Sequence, residues 1–164
     1  MKEFNVKWSK SVRSTSAITF IVLAGACVAL LLRADASAWN YLFVACIVAA
    51  ILYCAYMSPL KITADEEKIT IKKIIGNKSI RFEKIEKITL FQANSMHSVR
   101  LLGSGGFLGY TGLHYNPQIG RYASFVGSYD QTILIETGGG MKYLISCEHA
   151  DELVKHYNSL ISMS

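Results

Sequence analysis

Two long uncharged segments near the start of the chain limit what it can fold into. The first runs from Ser14 to Leu32 and the second from Ala36 to Leu60. A bilayer core about 30 Å thick is crossed by roughly 20 helical residues, so each segment is long enough to span it. A buried hairpin in a soluble protein is the alternative, but the rest of the chain is short for so large a core. We therefore predict a transmembrane helical hairpin with spans at about 14–32 and 38–57.

Basic residues lie at one end of both predicted spans. The flanking cations are Lys2, Lys7, Lys10, Arg13, Lys61, Lys68, Lys72 and Lys73. Because short positively charged segments stay in the cytoplasm, both termini are expected there. We predict a basic cytoplasmic N-terminus at 1–13, a transmembrane hairpin at 14–59 and a cytoplasmic domain at 60–164. The chain would then be a multi-pass protein of the inner (cytoplasmic) membrane.

The first segment has a second interpretation as a cleaved signal peptide. A basic start and an apolar run precede the small residues Ala36, Ser37 and Ala38, as at secretory cleavage sites. The second span would then enter from outside, so the domain after Leu60 would still face the cytoplasm. Both interpretations predict the same location for that domain.

The predicted spans contain no ionisable side chain other than cysteine and tyrosine. Asp, Glu, Lys, Arg and His within a membrane mark ion pathways and proton relays, so their absence argues against a transporter. Small residues recur at four-residue spacing, for example Gly25 with Ala29 and Ala45 with Ala49. Such faces let helices approach closely. They serve either the packing of the two helices of one chain or dimerisation.

After Pro59 the hydrophobic pattern alternates, as in Lys68–Lys72, which is typical of a half-buried strand. Turn residues divide the rest into about seven short strands. A final amphipathic helix follows, for which Ser146 is the expected N-cap. Its predicted apolar face comprises Ala150, Leu153, Val154, Tyr157, Leu160 and Ile161. A small barrel or orthogonal sandwich, closed by the helix, fits this order.

Several segments carry a family resemblance. The order is two spans, then Pro-Leu-Lys-Ile-Thr-Ala-Asp-Glu-Glu-Lys-Ile-Thr-Ile, Phe-Glu-Lys-Ile-Glu-Lys-Ile, a Gly/aromatic segment and Lys-Tyr-Leu-Ile-Ser before the last helix. From Leu60 to Tyr157 the chain resembles membrane-anchored bacterial proteins with a PH-like domain. The resemblance implies a seven-stranded PH-like barrel capped by a C-terminal α-helix. It also implies a binding or scaffolding module.

The most unusual segment is rich in glycine and runs from Gly103 to Tyr115. It lacks the lysine and the helix start that a phosphate-binding loop needs, so nucleotide binding is a weak interpretation. The segment could instead be a long bent loop or a bulged hairpin whose aromatic rings cover the backbone. If exposed, its large apolar residues would form a docking surface for lipid or for a partner protein. These candidates are Phe107, Leu108, Tyr110, Leu113 and Tyr115.

A basic hairpin provides a second candidate site. Its cations are Lys72, Lys73, Lys78 and Arg81. They fall in the strand pair where eukaryotic PH domains hold phosphoinositide headgroups, but the usual Lys-x-Arg pattern is missing. Attraction to anionic lipid fits the net charge of +5. An ordinary solvated turn is the alternative.

No motif for catalysis is present. There is no Gly-x-Ser-x-Gly sequence, and His149, Glu152 and His156 on the last helix are a weak metal pattern. Only Cys147 lies outside the spans, which excludes a disulfide framework there. We expect no enzyme activity, cofactor, metal or nucleic-acid partner. The leading hypothesis is a membrane-tethered module that binds a partner protein or its own copies, and the alternative is an anionic-lipid sensor that uses the basic hairpin. A small enzyme or nucleotide binder at the glycine-rich segment is a third class and ranks well below both.

Overall fold

The computed structural model describes residues 2–33, 37–91 and 98–161, without the side chains of Leu160 and Ile161. A short strand, β1 (Lys2–Asn5), comes first. Two long helices follow, α1 (Lys10–Leu31) and α2 (Ala38–Met57). Of the suggested signal-peptide cleavage site, Ala36 lies outside the described residues, and Ser37 and Ala38 lie within them.

The chain after α2 forms two sheets and a final helix. Its strands are β2 (Pro59–Ala64), β3 (Lys68–Lys73), β4 (Asn77–Arg81), β5 (Ile85–Phe91), β6 (Val99–Gly106), β7 (Gly109–Asn116), β8 (Gly120–Val126), β9 (Thr132–Thr137) and β10 (Lys142–Ser146), and the helix is α3 (Ala150–Ile161). One sheet has the order β1-β2-β3-β4 and the other β5-β9-β10-β8-β7-β6. The predicted fold class, two apolar helices followed by a PH-like β domain with a C-terminal helix, is confirmed. The described residues after α2 form nine strands where seven were expected, because the glycine-rich segment is itself two strands and the basic segment is divided by a turn.

The main core lies between the two sheets and is closed by α3. Alternation places Ile69 and Ile71 of β3 inside, opposite residues from β9 and β10. Leu153 and Tyr157 of α3 are buried against this core, as predicted. The Tyr157 hydroxyl donates a hydrogen bond to the Ile85 carbonyl at 3.2 Å. The helix therefore plugs the barrel with an apolar face and one polar anchor.

The predicted N-cap of the last helix is wrong. Ser146 is the final residue of β10, and α3 begins only at Ala150. The Ser146 hydroxyl instead accepts a hydrogen bond from the Gly127 amide at 2.8 Å. A serine hydroxyl can accept a hydrogen bond from a backbone amide other than that of a following helix. Here the amide belongs to Gly127, directly after the end of β8.

Strand β1 was not expected from the sequence. It lies before both helices, yet it pairs antiparallel with β2, which lies after them, and Phe4 is opposite Ile62. The Phe4 side chain is buried in the main core. The N-terminal strand is thus part of the barrel. The division of the chain into segments 1–13, 14–59 and 60–164 stays a prediction.

The two helices are long and apolar enough to cross a membrane. Val12 and Ser16 are the buried residues of α1, and α2 has none. The helices contact each other and, at their ends, the barrel. They are therefore not the core of the β domain, and most of their apolar side chains remain exposed.

The glycine-rich segment is a β-hairpin formed by β6 and β7. A bulge interrupts its register between Arg100 and Leu102. Of the two expected forms, a long bent loop and a bulged hairpin, the structure therefore shows the bulged hairpin. Gly103 and Gly112 face each other across the hairpin. A Cβ on Gly103 would lie 2.1 Å from the Thr111 carbonyl oxygen, and the φ of Gly103 is 114°. Only glycine allows the strands to approach this closely.

Candidate functional site

The connections between the helices and the barrel are short and hydrogen-bonded. The Ser9 amide donates to the Gly127 carbonyl at 3.0 Å, and the Trp8 indole Nε1 donates to the Pro59 carbonyl at 3.2 Å. The Ser9 hydroxyl also caps α1 by accepting from the Val12 amide at 3.1 Å. The barrel is therefore held directly at the helix ends.

The turn of the β6–β7 hairpin connects to both helices through one residue. The Leu108 amide donates to the Ser16 hydroxyl of α1 at 2.8 Å. The Ser58 hydroxyl, directly after α2, donates to the Leu108 carbonyl at 2.6 Å. Leu108 has a φ of 55°, a left-handed conformation that costs a leucine about 1 kcal/mol or more. The two serines hold this strained turn against the helix pair.

The predicted partner surface is divided between different environments. Its five residues are Phe107, Leu108, Tyr110, Leu113 and Tyr115. Leu108 lies in the turn, and the Tyr110 ring packs against Tyr129 with centroids 4.7 Å apart. Leu113 and Tyr115 point to the opposite face of β7 from Tyr110. Tyr115 is exposed, but the structure does not bring the five together as one surface.

The basic hairpin is β3–β4, and its cations are also dispersed. The four predicted residues are Lys72, Lys73, Lys78 and Arg81. Lys72 Nζ lies 3.4 Å from Glu3 Oε1 on the outer face, while Lys73 Nζ lies 3.9 Å from the centre of the Tyr56 ring of α2. Lys78 Nζ lies 5.8 Å from the centre of the Tyr143 ring, and Arg81 is opposite Lys68 in the strand register at the other end of the hairpin. Of the four, Lys73 is the cation stacked on α2.

The Glu3 carboxylate of β1 forms ion pairs with two lysines of the neighbouring strands. Lys61 Nζ lies 3.5 Å from Glu3 Oε2, beside the Lys72 contact. The hydrogen bond from Lys72 and the charges of Lys61 and Lys72 lower the pKa of Glu3. This exposed cluster links β1 to Lys61 of β2 and Lys72 of β3, and it gives Lys72 a carboxylate neighbour within its own sheet.

A cleft opens between the β8–β9 loop and the β10–α3 connection. Its volume is about 340 Å³, within the range of small ligand sites. Its lining residues are Lys7, Ser128, Asp130, Gln131, Ser146, Cys147, Glu148 and His149. Within the described ranges, Lys7, Asp130 and Glu148 form no ion pair. The cleft therefore offers two acidic groups and one basic group to a binding partner.

The cleft has no activated nucleophile. Burial, with a smaller contribution from the charge of Asp151, raises the pKa of Cys147 to about 12, so the thiol is protonated at neutral pH. His149 Nδ1 lies 3.8 Å from Glu152 Oε1, and His156 makes no third ligand with them. Over the part of the chain that is described, no group of three metal-binding side chains occurs.

His114 is a buried titratable residue that the sequence did not reveal. It lies on β7 with its ring centroid 5.7 Å from that of Tyr122, in a second cluster on the outer face of the six-stranded sheet. Burial, assisted by the charge of Arg100, lowers the pKa of His114. Its Nδ1 is 3.4 Å from the Gly112 carbonyl oxygen. A single histidine among glycines and tyrosines carries no sequence signal of burial.

The architecture defines a class of protein: a PH-like barrel of two sheets, closed by a C-terminal helix and preceded by two apolar helices. Residues 60–161 match the bacterial PH domain family, and the chain belongs to this family. The match begins one residue into β2, so it does not include β1. No curated protein and no solved structure is significantly similar to the chain. PH domains are generally non-catalytic binding modules.

Proposed function

We propose that this protein is a non-catalytic binding module held at the cytoplasmic face of the membrane by α1 and α2. It acts through contact with a partner protein or with a second copy of itself. The binding surface is the charged cleft beside the N-terminus of α1. The β6–β7 hairpin, whose turn is bound to the helices, positions the barrel, and Tyr115 remains the exposed member of the candidate set.

The pairing of β1 with β2 is the observation that carries this proposal. These strands flank the helix pair in sequence, and they are adjacent in one sheet from Lys2↔Ala64 to Asn5↔Lys61. If α1 and α2 cross a membrane, the chain must therefore leave and return on the same side. Cleavage near Ala38 would remove β1 and the core residue Phe4, which argues for retention of α1.

The basic residues support the cytoplasmic side for that face. Lys7, Lys10 and Arg13 precede or begin α1, and Lys61 follows α2. Positive charge in segments this close to a span opposes translocation. Both termini and the whole barrel would then face the cytoplasm.

The cleft is the best supported contact surface because it combines concavity with unpaired charge. Asp130 and Glu148 can accept hydrogen bonds from a basic group, while Lys7 can bind an acidic one. The Asp130 carboxylate is oriented by the Ser128 hydroxyl, which donates to Oδ2 at 2.8 Å. A partner with both charges, including another copy of the chain, would find complementary groups there.

Photo-crosslinking in intact cells tests this function. A benzophenone side chain placed at Gln131, in the cleft, should yield a discrete adduct with a second copy or with another protein. The same probe at Met141, an exposed position at the β9–β10 end, is the matched control and should yield none. Asp130→Asn combined with Glu148→Gln should reduce the Gln131 adduct about tenfold or more, because two charged contacts are lost.

Equal crosslinking at both positions would contradict the cleft as the contact surface. The orientation is checked in the same cells by a reporter that is active only outside the cytoplasm. Fused after Ser164 it should be silent, and inserted at Ala34, outside the described residues, it should be active. The reverse pattern would contradict the cytoplasmic location.

A second candidate function, an anionic-lipid sensor, is favoured by one contact. Lys73 lies over the ring of Tyr56, near the end of α2, so this cation is held where a span would leave the bilayer. Lys72, Lys78 and Arg81 do not share that position. A sensor would therefore use Lys73 with other residues near the helices. No observation favours the third class, a small enzyme or nucleotide binder at the glycine-rich segment.

A further inference from the structure

The turn of the β3–β4 hairpin exposes two adjacent isoleucines beside the end of α2. Turns usually carry polar residues, because they face water. Ile74 and Ile75 are nevertheless both exposed here. The Ile74 amide donates to the Ser58 carbonyl at 3.0 Å, and the Tyr56 ring lies 3.6 Å from the position of a Cβ on Gly76. The exposed apolar turn is thus anchored to the base of the helix pair.

Strand β6 provides a second exposed apolar segment at the same base. Both helices contact β6, and its turn is bound by Ser16 and Ser58. These contacts hold the turn end of β6 beside the helices. Its exposed apolar side chains are Val99, Leu101 and Leu102.

One cation accompanies each apolar segment. Lys73 precedes the isoleucine turn, and Arg100 lies among the apolar residues of β6. Neither forms an ion pair with any carboxylate in residues 2–33, 37–91 and 98–161. Arg100 Nη1 lies 2.8 Å from the position that a Cβ on Gly105 would take, so the absence of a side chain there makes room for the guanidinium. Phosphate is the natural ligand of such cations.

We propose that these two segments form a lipid rim that lies in the interface of the bilayer. The rim comprises Lys73, Ile74, Ile75, Val99, Arg100, Leu101 and Leu102. Its apolar side chains enter the boundary between headgroups and acyl chains, while Lys73 and Arg100 bind lipid phosphates. The bilayer is the occupant because β3 contacts α2 and β6 contacts both helices, whose apolar side chains are themselves exposed. This inference rests on the proposed membrane span.

The lipid rim fixes how the barrel sits on the membrane. The hydrogen bonds at the helix ends hold the barrel to the helices, and contacts of the two apolar segments with the bilayer interface would oppose tilting of the whole unit. Interfacial burial of apolar side chains beside cations is the arrangement that binds other proteins to anionic surfaces. The barrel would therefore be held in one orientation by lipid as well as by its own helices.

Depth-dependent fluorescence quenching tests the lipid rim with the full chain in nanodiscs. In a Trp8→Phe, Trp39→Phe background, one tryptophan is introduced as Ile75→Trp or Leu101→Trp. The controls are Met141→Trp and Leu90→Trp, whose native side chains are 45% and 53% exposed, against 46% and 49% for Ile75 and Leu101. Brominated phosphatidylcholine and phosphatidylglycerol serve as the quenching lipids.

The rim tryptophans should lose about half of their fluorescence or more in brominated lipid, because interfacial side chains reach some 5–10 Å into that boundary. The control tryptophans should lose little. Rim tryptophans that behave like the controls would overturn the inference, whether water or a second copy covers the segment. If either rim variant fails to fold, Ile74→Trp or Leu102→Trp replaces it.

A chain that retains Trp39 alone separates the two proposals. Quenching of Trp39 with unquenched rim positions would overturn the lipid rim and leave the span intact. An unquenched Trp39 would contradict the span itself.

The binding of lipid phosphates by Lys73 and Arg100 is measured by the phosphatidylglycerol that stays with the protein on purification from mixed-lipid membranes. The amount retained should fall at least about twofold in the double variant Lys73→Gln, Arg100→Gln. The matched variant Lys78→Gln, Arg81→Gln should retain as much as the original chain, and equal losses in both variants would contradict specific roles for Lys73 and Arg100.

Discussion

The barrel and the helix pair are both rich in apolar residues, but they place these residues in opposite environments. Phe4 of β1 is 6% exposed, whereas Phe20 of α1 is 56% exposed. The barrel can therefore be stable through its own packing, because removal of apolar surface from water drives folding. The helix pair buries little of its apolar surface within the chain, and both helices are long and apolar enough to cross a membrane. Hydrogen bonds at Ser9, Ser16 and Ser58 join the two regions.

The largest expected difference comes from the same type of substitution, phenylalanine to alanine, made once in the barrel and once in the helix pair. Phe4→Ala should lower the free energy of unfolding of the barrel by about 3–5 kcal/mol, since it leaves a cavity in the main core. Phe20→Ala should change it by less than about 0.5 kcal/mol, since no barrel contact is lost. Denaturant titration of the detergent-solubilised chain, followed by near-ultraviolet circular dichroism, measures both. Equal effects would show that β1 is not part of the barrel core.

A leucine pair tests the other end of the barrel. Leu153 of α3 is 1% exposed and Leu52 of α2 is 55% exposed. Leu153→Ala should cost about 2–5 kcal/mol of barrel stability, because α3 plugs the core. Leu52→Ala should leave the same unfolding midpoint nearly unchanged. A Leu153→Ala barrel of undiminished stability would mean that α3 packs elsewhere.

The smallest expected effect is the pH dependence of stability. It also distinguishes the two regions, because neither α1 nor α2 contains a histidine or a carboxylate. His114 has a folded pKa below its usual 6.5, so the unfolded chain binds its proton first as pH falls. Stability from this residue is complete above about pH 6.5 and decreases below it, by at most about 1.4 kcal/mol per pH unit. His114→Asn should flatten the dependence between about pH 5 and 7. An unchanged slope in His114→Asn would assign the effect to other groups.

Local patterns in the sequence were sufficient to predict several elements. Uncharged length predicted helices at α1 and α2, and alternation predicted β3, with Ile69 and Ile71 on the buried face. The apolar face of α3 was predicted by its helical period, including the buried Leu153 and Tyr157. These elements are defined by neighbours a few residues apart, so periodicity alone reveals them. Their order predicted a small barrel or orthogonal sandwich closed by a helix, and the family resemblance implied that this barrel is PH-like.

Other features depend on residues that are distant in sequence, and only the tertiary structure decided them. Strand β1 contains a single buried apolar residue, Phe4, and its partner strand lies beyond both helices. The cleft joins Lys7 to residues 128–149, and the β6–β7 turn is held by serines from two helix ends. Dispersal of the basic hairpin likewise follows from its pairing and from Glu3 and Tyr56. The sequence by itself determined the elements and their apolar faces, because burial periodicity is local, whereas contacts across the barrel depend on how those elements assemble.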